Sequence, residues 1–257
     1  MPLTRRRFLA LTSATAGAAL SPSLIKAGGT AAPTIKAIAF DAFTVFDPRP
    51  VAAATERRFP GRGSELSALW RSRQFEYSWL RTLGGRYTGF RSITAQALSY
   101  AANALGLPLA DSDRDDLVAV FEQLPAWPDA RPVLSELRER GIRLAFLSNL
   151  PEAILLKLSR DNDLQALFDP PLSTDRVSAF KPDPRAYAMA LNAFGLTKQE
   201  IAFAAFGAWD AVGAAWFGYP TAWINRQHLP LEQLEQMPAK IGPDLTTLLE
   251  MTQTAQI

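Results

Sequence analysis

Cysteine is absent from this 257-residue chain, and histidine occurs once, as His228. Without thiols there can be no disulfide, thiolate nucleophile, zinc knuckle or iron–sulfur ligation. A single imidazole argues against a histidine-based triad and against any multi-histidine metal site. Catalysis must then run on carboxylates, amides, hydroxyls and cations. A large excess of either charge sign is lacking as well: 27 Lys and Arg face 25 Asp and Glu, a formal net charge of +2. Four of those cations, Arg5, Arg6, Arg7 and Lys26, fall in residues 1–31, which hold no acid, leaving 23 cations against 25 acids beyond them. The basic balance therefore belongs to the N-terminus and gives no support to a nucleic-acid partner. With 48% hydrophobic and 20% charged residues the composition is that of a globular protein. At this length folding buries roughly 70–75% of the chain's surface, enough for one large core with an insertion.

The N-terminal segment reads as an address. Arg5-Arg6-Arg7 precedes a short apolar run from Phe8 to Leu20 and then an Ala/Gly-rich stretch to Pro33. This resembles a twin-arginine export signal over residues 1–31, with cleavage between Ala27 and Ala32. The apolar run is shorter than the roughly 20 residues a spanning helix needs, so no stable membrane anchor is expected. A periplasmic location and passage through the twin-arginine export machinery follow as expectations.

Beyond residue 33 the pattern alternates. Short apolar runs at 34–40, 142–147, 201–206 and 221–225 have the character of buried strands. Helical spacing separates them at 132–140, 151–158, 183–194 and 209–217. Strands alternating with helices predict an α/β fold with a doubly wound, parallel, Rossmann-like sheet that binds ligands at the carboxyl ends of its strands. The segment 49–125 differs. Asp47-Pro48-Arg49-Pro50 breaks regular structure. Helical spacing then runs through 63–83, 92–105 and 112–123, so this segment is predicted to be an inserted helical-bundle cap. The core is expected at 34–48 and 126–250. Gly61-Arg62-Gly63 and Gly84-Gly85 follow no strand, so they read as turns rather than phosphate cradles.

Polar residues punctuate the strand ends, Asp41, then Ser148-Asn149, then Asp210, and with Lys181 of Phe180-Lys181-Pro182-Asp183 between the last two they form an ordered series. The series resembles the haloacid dehalogenase superfamily, in which the first Asp is the nucleophile. The stretch from Trp70 to Arg81 is similar to the cap signature of the type II subgroup, the L-2-haloacid dehalogenases. So are Phe206-Gly207-Ala208-Trp209-Asp210 and Trp223-Ile224-Asn225-Arg226, and the likeness covers roughly 35–250. The resemblance implies a hydrolase of carbon–halide bonds that converts short (S)-2-haloalkanoic acids to 2-hydroxy acids through an aspartyl ester on Asp41. It implies Lys181 as the cation beside Asp41, and Arg71 and Asn149 as donors to the departing halide. Ser148 and Thr44 would bind carboxylate oxygens, and Phe43, Phe75, Phe90 and Trp209 would form an apolar wall. Asp210 would hold Lys181 and orient the hydrolytic water.

Halide departs without a proton, so this chemistry needs no general acid; it needs an ionised carboxylate steadied by cations. The phosphatases of the superfamily need a second Asp two residues after the nucleophile, where this chain has Phe43, and a carboxylate cluster for Mg²⁺. No metal and no cofactor are therefore expected, only a small haloacid partner; a homodimer is compatible with the sequence but not required by it. Two departures from the subgroup stand out. The Gly usual in the loop after the nucleophile is missing between Phe43 and Thr44, and Ala205 and Gly207 stand where Ser and Asn are usual. An amide restored at 207 would then be expected to speed ester hydrolysis. Two alternatives stay open: a catalytically weak or silent exported protein that binds small acids, and a Mg²⁺-dependent phosphatase.

Overall fold

The computed structural model describes residues 34–253. The segment read as an export signal lies outside the described residues.

Strand β1 (Ala37–Phe40) is buried at all four positions, which requires cover on both faces. It lies at the centre of a six-stranded sheet whose pairs are all parallel. The other strands are β2 (Arg143–Ser148), β3 (Leu172–Ser173), β4 (Ile201–Ala205), β5 (Thr221–Ile224) and β6 (Lys240–Gly242), and the order is β3-β2-β1-β4-β5-β6. The order reverses beside β1, so the carboxyl ends of β1, β2 and β4 face a crevice at the switch point.

The helices cover the sheet because their apolar residues recur on one face. In α6 (Ala130–Glu139), Ala130, Val133, Leu134 and Leu137 are buried, a spacing of three and four. Helices α7 (Glu152–Asp161), α8 (Pro184–Phe194), α9 (Ala208–Phe217) and α10 (Thr246–Met251) complete the flanking layers. Asp183 caps α8 through its carboxylate, Pro184 takes the first turn, and Gly195 ends it at φ +66.

Between β1 and β2 the chain leaves the sheet. After the one-turn helix α1 (Ala42–Val45) come α2 (Arg49–Arg58), α3 (Gly63–Leu83), α4 (Phe90–Ala104) and α5 (Asp111–Ala119). The outgoing and returning chain lie side by side, with Asp47 N–H donating to Pro125 O and Trp127 N–H to Val45 O. No helix among the described residues is long and apolar enough to cross a membrane.

Several local readings change. The Pro-rich stretch does not break regular structure; it starts α2, because Pro50 falls in the first helical turn, where an amide hydrogen has no partner to lose. Strands β3 and β6 and helix α10 had no sequence signal: β3 has two residues and β6 is an exposed edge.

Candidate active site

Asp41 follows the last residue of β1 and caps α1, its Oδ2 accepting from Phe43 N–H at 3.3 Å. Its other oxygen, Oδ1, accepts from Lys181 Nζ at 2.9 Å. The same ammonium donates to Asp210 Oδ2 at 2.6 Å, from the first turn of α9. One buried cation thus bridges two carboxylates, and all three groups are less than a tenth exposed. Burial opposes the Lys181 charge, but Asp210 and Asp41 outweigh it and hold its pKa above the ordinary value. Burial pushes the Asp210 carboxyl up to about 6, against the pull of Lys181 and with the repulsion of Asp41. Its remaining oxygen, Oδ1, accepts from Tyr187 Oη at 2.7 Å. Burial and the neighbouring Asp210 charge raise the Tyr187 pKa well above its usual value, so the phenol stays a donor.

Asn149, just past β2, has its side-chain oxygen tied down: Oδ1 accepts from Lys181 N–H at 3.1 Å and from Thr174 Oγ1 at 3.4 Å. A backbone donor on Oδ1 fixes the amide orientation and leaves Nδ2 free to donate. Ser148 Oγ accepts from Leu150 N–H at 3.1 Å, which leaves its hydroxyl hydrogen available.

Asp41, Ser148, Asn149, Lys181 and Asp210 share one cavity of about 190 Å³. Helix α3 brings Arg71 to the same cavity, flanked by the rings of Phe75 and Phe206 at 5.7 and 5.8 Å. Much of the Arg71 side chain is exposed, yet its guanidinium sits in crowded surroundings. Desolvation lowers its pKa, partly offset by attraction to Asp41, and no side-chain hydrogen bond contributes. It remains charged, as guanidinium does at any ordinary pH, with donors to spare. Phe43, Phe75, Phe90 and Trp209 all line the cavity.

Thr44 requires a correction. It is fully buried, its hydroxyl donates to Asp41 O at 2.7 Å, and it is not among the cavity-lining residues. Its hydroxyl closes the turn behind Asp41 and is not presented to the cavity. The missing Gly has little effect for the same reason: residues 42–45 form one helical turn, which needs no left-handed residue.

Sequence reasoning missed Tyr187, whose link to Asp210 spans 23 residues. It also missed Gln74 and Ser78, which line the cavity from α3 beside Phe75. Their spacing from Arg71 along one helix face was the available signal.

A buried carboxylate braced by a buried cation, at the carboxyl end of the central strand of a parallel sheet and beside a helical insertion, defines an α/β protein equipped for nucleophilic attack by aspartate. The family model described as haloacid dehalogenase-like hydrolase matches residues 10–218. The chain belongs to that family. It is 42% identical to an (S)-2-haloacid dehalogenase of Pseudomonas sp. (strain YL), over 86% of this chain and 96% of that one. The crystal structure of an L-2-haloacid dehalogenase superposes with a TM-score of 0.83 at 42% identity, covering 86% of this chain and all of the other. The L-2-haloacid dehalogenase of Xanthobacter autotrophicus, solved with chloropropionic acid covalently bound, gives 0.77 at 34% identity, over 84% and 98%.

Proposed function

We propose that this protein hydrolyses short (S)-2-haloalkanoic acids to 2-hydroxy acids, with an ester on Asp41 as intermediate. The observation that carries the reading is Asp41 bridged through Lys181 to Asp210, with Arg71 opening onto the same apolar-walled cavity. An apolar cavity of about 150 Å³ takes a benzene-sized guest, so about 190 Å³ accommodates a short haloacid.

The proposed chemistry has two steps. A carboxylate oxygen of Asp41 attacks the halogen-bearing carbon from the side opposite the halogen. The carbon–halogen electrons leave as halide, and the ester forms with inversion. Arg71 and Asn149 Nδ2 donate to the departing anion, where pre-set donors act most strongly. Arg71 and Ser148 hold the substrate carboxylate, a task suited to the planar guanidinium fork. Water then adds to the Asp41 carbonyl carbon, giving one proton to Asp210. The tetrahedral intermediate breaks its bond to the substrate oxygen, and Asp210 returns that proton to the leaving alkoxide. The 2-hydroxy acid departs as the water's second proton goes to solvent and the Asp41 carboxylate is restored. Lys181 supports both steps by holding Asp41 Oδ1 and Asp210 Oδ2 through one ammonium.

Halide release from chloroacetate and 2-chloropropionate tests the activity. Asp41→Asn removes the nucleophile at nearly constant shape and should cut release on the order of 10³-fold or more. Turnover near the parent level, with deamidation excluded by mass, refutes Asp41 as nucleophile.

For residues 1–31 we infer export by the twin-arginine route to the periplasm. The Arg5-Arg6-Arg7 cluster ahead of a short apolar run supports this. The N-terminal sequence of protein recovered from the periplasm tests it; an intact Met1 in the cytoplasmic fraction alone would refute it.

A further inference from the structure

Lys181 and Asn149 are held by a segment that carries its own conformational cost. Residues 174–181 leave β3 in a short 3₁₀ turn, pass through Ser178 in the left-handed region (φ +51) and end at Lys181. A side chain disfavours that backbone region, so such a residue persists where its surroundings over-determine it. The surroundings here come from the tip of the inserted bundle. Phe180 N–H, one residue before the catalytic cation, donates to Thr82 Oγ1 of α3 at 3.0 Å. Tyr87, in the loop between α3 and α4, donates its hydroxyl to Asp175 Oδ1 at 2.5 Å and packs at a tilt against the Phe180 ring, centroids 4.7 Å apart. Burial, with the Asp175 bond and charge, raises the Tyr87 pKa, so the phenol remains a donor. Phe180 itself is almost wholly buried.

The clamp reaches the chemistry by two short paths. Phe180 leads directly into Lys181, whose N–H fixes Asn149 Oδ1 and whose Nζ bridges Asp41 and Asp210. Thr174, next to Asp175, contributes the second bond to Asn149 Oδ1. The insertion therefore supplies Arg71 to the cavity and, through its tip, also braces the loop that carries the core's cation.

We propose that Thr82 and Tyr87 are positioning residues: docking of the insertion's tip sets Lys181 and Asn149 for displacement of halide. Any opening that breaks these two bonds then disarms Asp41 along with uncovering it. The inference rests on the haloacid reading for its kinetic test and stands apart from it for its structural one.

The kinetic test uses Thr82→Ala, Thr82→Ser, Tyr87→Phe, Asp175→Ala and Asp175→Asn. Losing one such bond should slow the first, halide-releasing turnover about three- to tenfold, with KM moving less than twofold. Thr82→Ser and Asp175→Asn keep an acceptor and should restore near-parent rates. The structural test is hydrogen exchange in the Thr82→Ala/Tyr87→Phe double variant. The amides of Phe180 and Lys181 should exchange at least about tenfold faster, while those of Ile38–Phe40 stay unchanged. Unchanged exchange at Phe180 and Lys181 overturns the proposal whether or not the protein releases halide. Rates that fall only with the folded fraction, or that Thr82→Ser fails to recover, also overturn it. A parent protein that releases no halide refutes the haloacid reading, and the exchange experiment still decides the clamp.

Discussion

The indole of Trp209 occupies the space that a side chain at Gly207 would need. A Cβ built on Gly207 would lie 2.7 Å from Trp209 Nε1 and 3.1 Å from its Cδ1. The ring cannot simply swing away, because it is packed edge-on against Phe75 at 5.2 Å and Trp79 at 5.7 Å. Restoring an amide here, attractive from the sequence, is therefore an overpacking change. Gly207→Asn should lower stability by about 1–3 kcal/mol, several degrees in Tm, and should reduce halide release by displacing a cavity wall. Calorimetry and kcat/KM on 2-chloropropionate check both; a faster, equally stable variant would show that Trp209 yields freely.

Asp210 in the proposed role of base predicts a pH dependence for the reaction. Its carboxyl is held at about 6, from an ordinary 3.8, chiefly by burial. As the proposed base it must be ionised to accept the water's proton, so steady turnover should rise with pH through about 6. Below that value the ester on Asp41 should accumulate, and the acid-quenched peptide containing Asp41 should carry the added mass of the acyl group. Flat turnover from pH 5 to 7.5, with no adduct at the lower end, contradicts Asp210 as the base. The sign for stability is opposite. The folded protein holds this proton more tightly than the unfolded chain, so the group's stabilising contribution is lost as pH rises through about 6.

Arg71 should not tolerate its nearest replacement. Arg71→Lys keeps the charge but loses the fork proposed to engage carboxylate and departing halide together. A fall in kcat/KM of roughly 10²-fold is expected, the scale of losing one pre-set donor in a transition state. A change below about threefold would mean that the exposed part of this side chain is all that matters.

Chelation should leave halide release intact. Phe43 stands two residues after Asp41, and Asp210 follows Trp209, so the donors that favour a hard cation are sparse. Among the described residues no group of three or more His, Asp or Glu is placed to hold a metal. Activity lost to EDTA and restored by Mg²⁺ would redirect the reading to phosphoryl chemistry.

What the sequence determined by itself was local or periodic. The apolar run before Asp41, the spacing of Ala130, Val133, Leu134 and Leu137, and the alternation of strand and helix are properties of a few neighbouring residues. They sufficed for the α/β class and for the order of the polar strand ends. Asp41, Ser148, Asn149 and Asp210 were legible because a parallel sheet gathers its strand ends at one edge, whereas Lys181, in the loop well past β3, was legible only through the family resemblance. The rest required the third dimension. Thr44 was given to the substrate because only the folded turn reveals its bond to Asp41 O. Tyr187 reads locally as one more buried position of α8 and meets Asp210 only because α8 and α9 pack against each other. The cost of a side chain at Gly207 depends on where the Trp209 ring comes to rest, which packing against α3 decides. Pairings that join distant residues leave no periodic trace in the chain, because their geometry is set by close packing after the elements have formed.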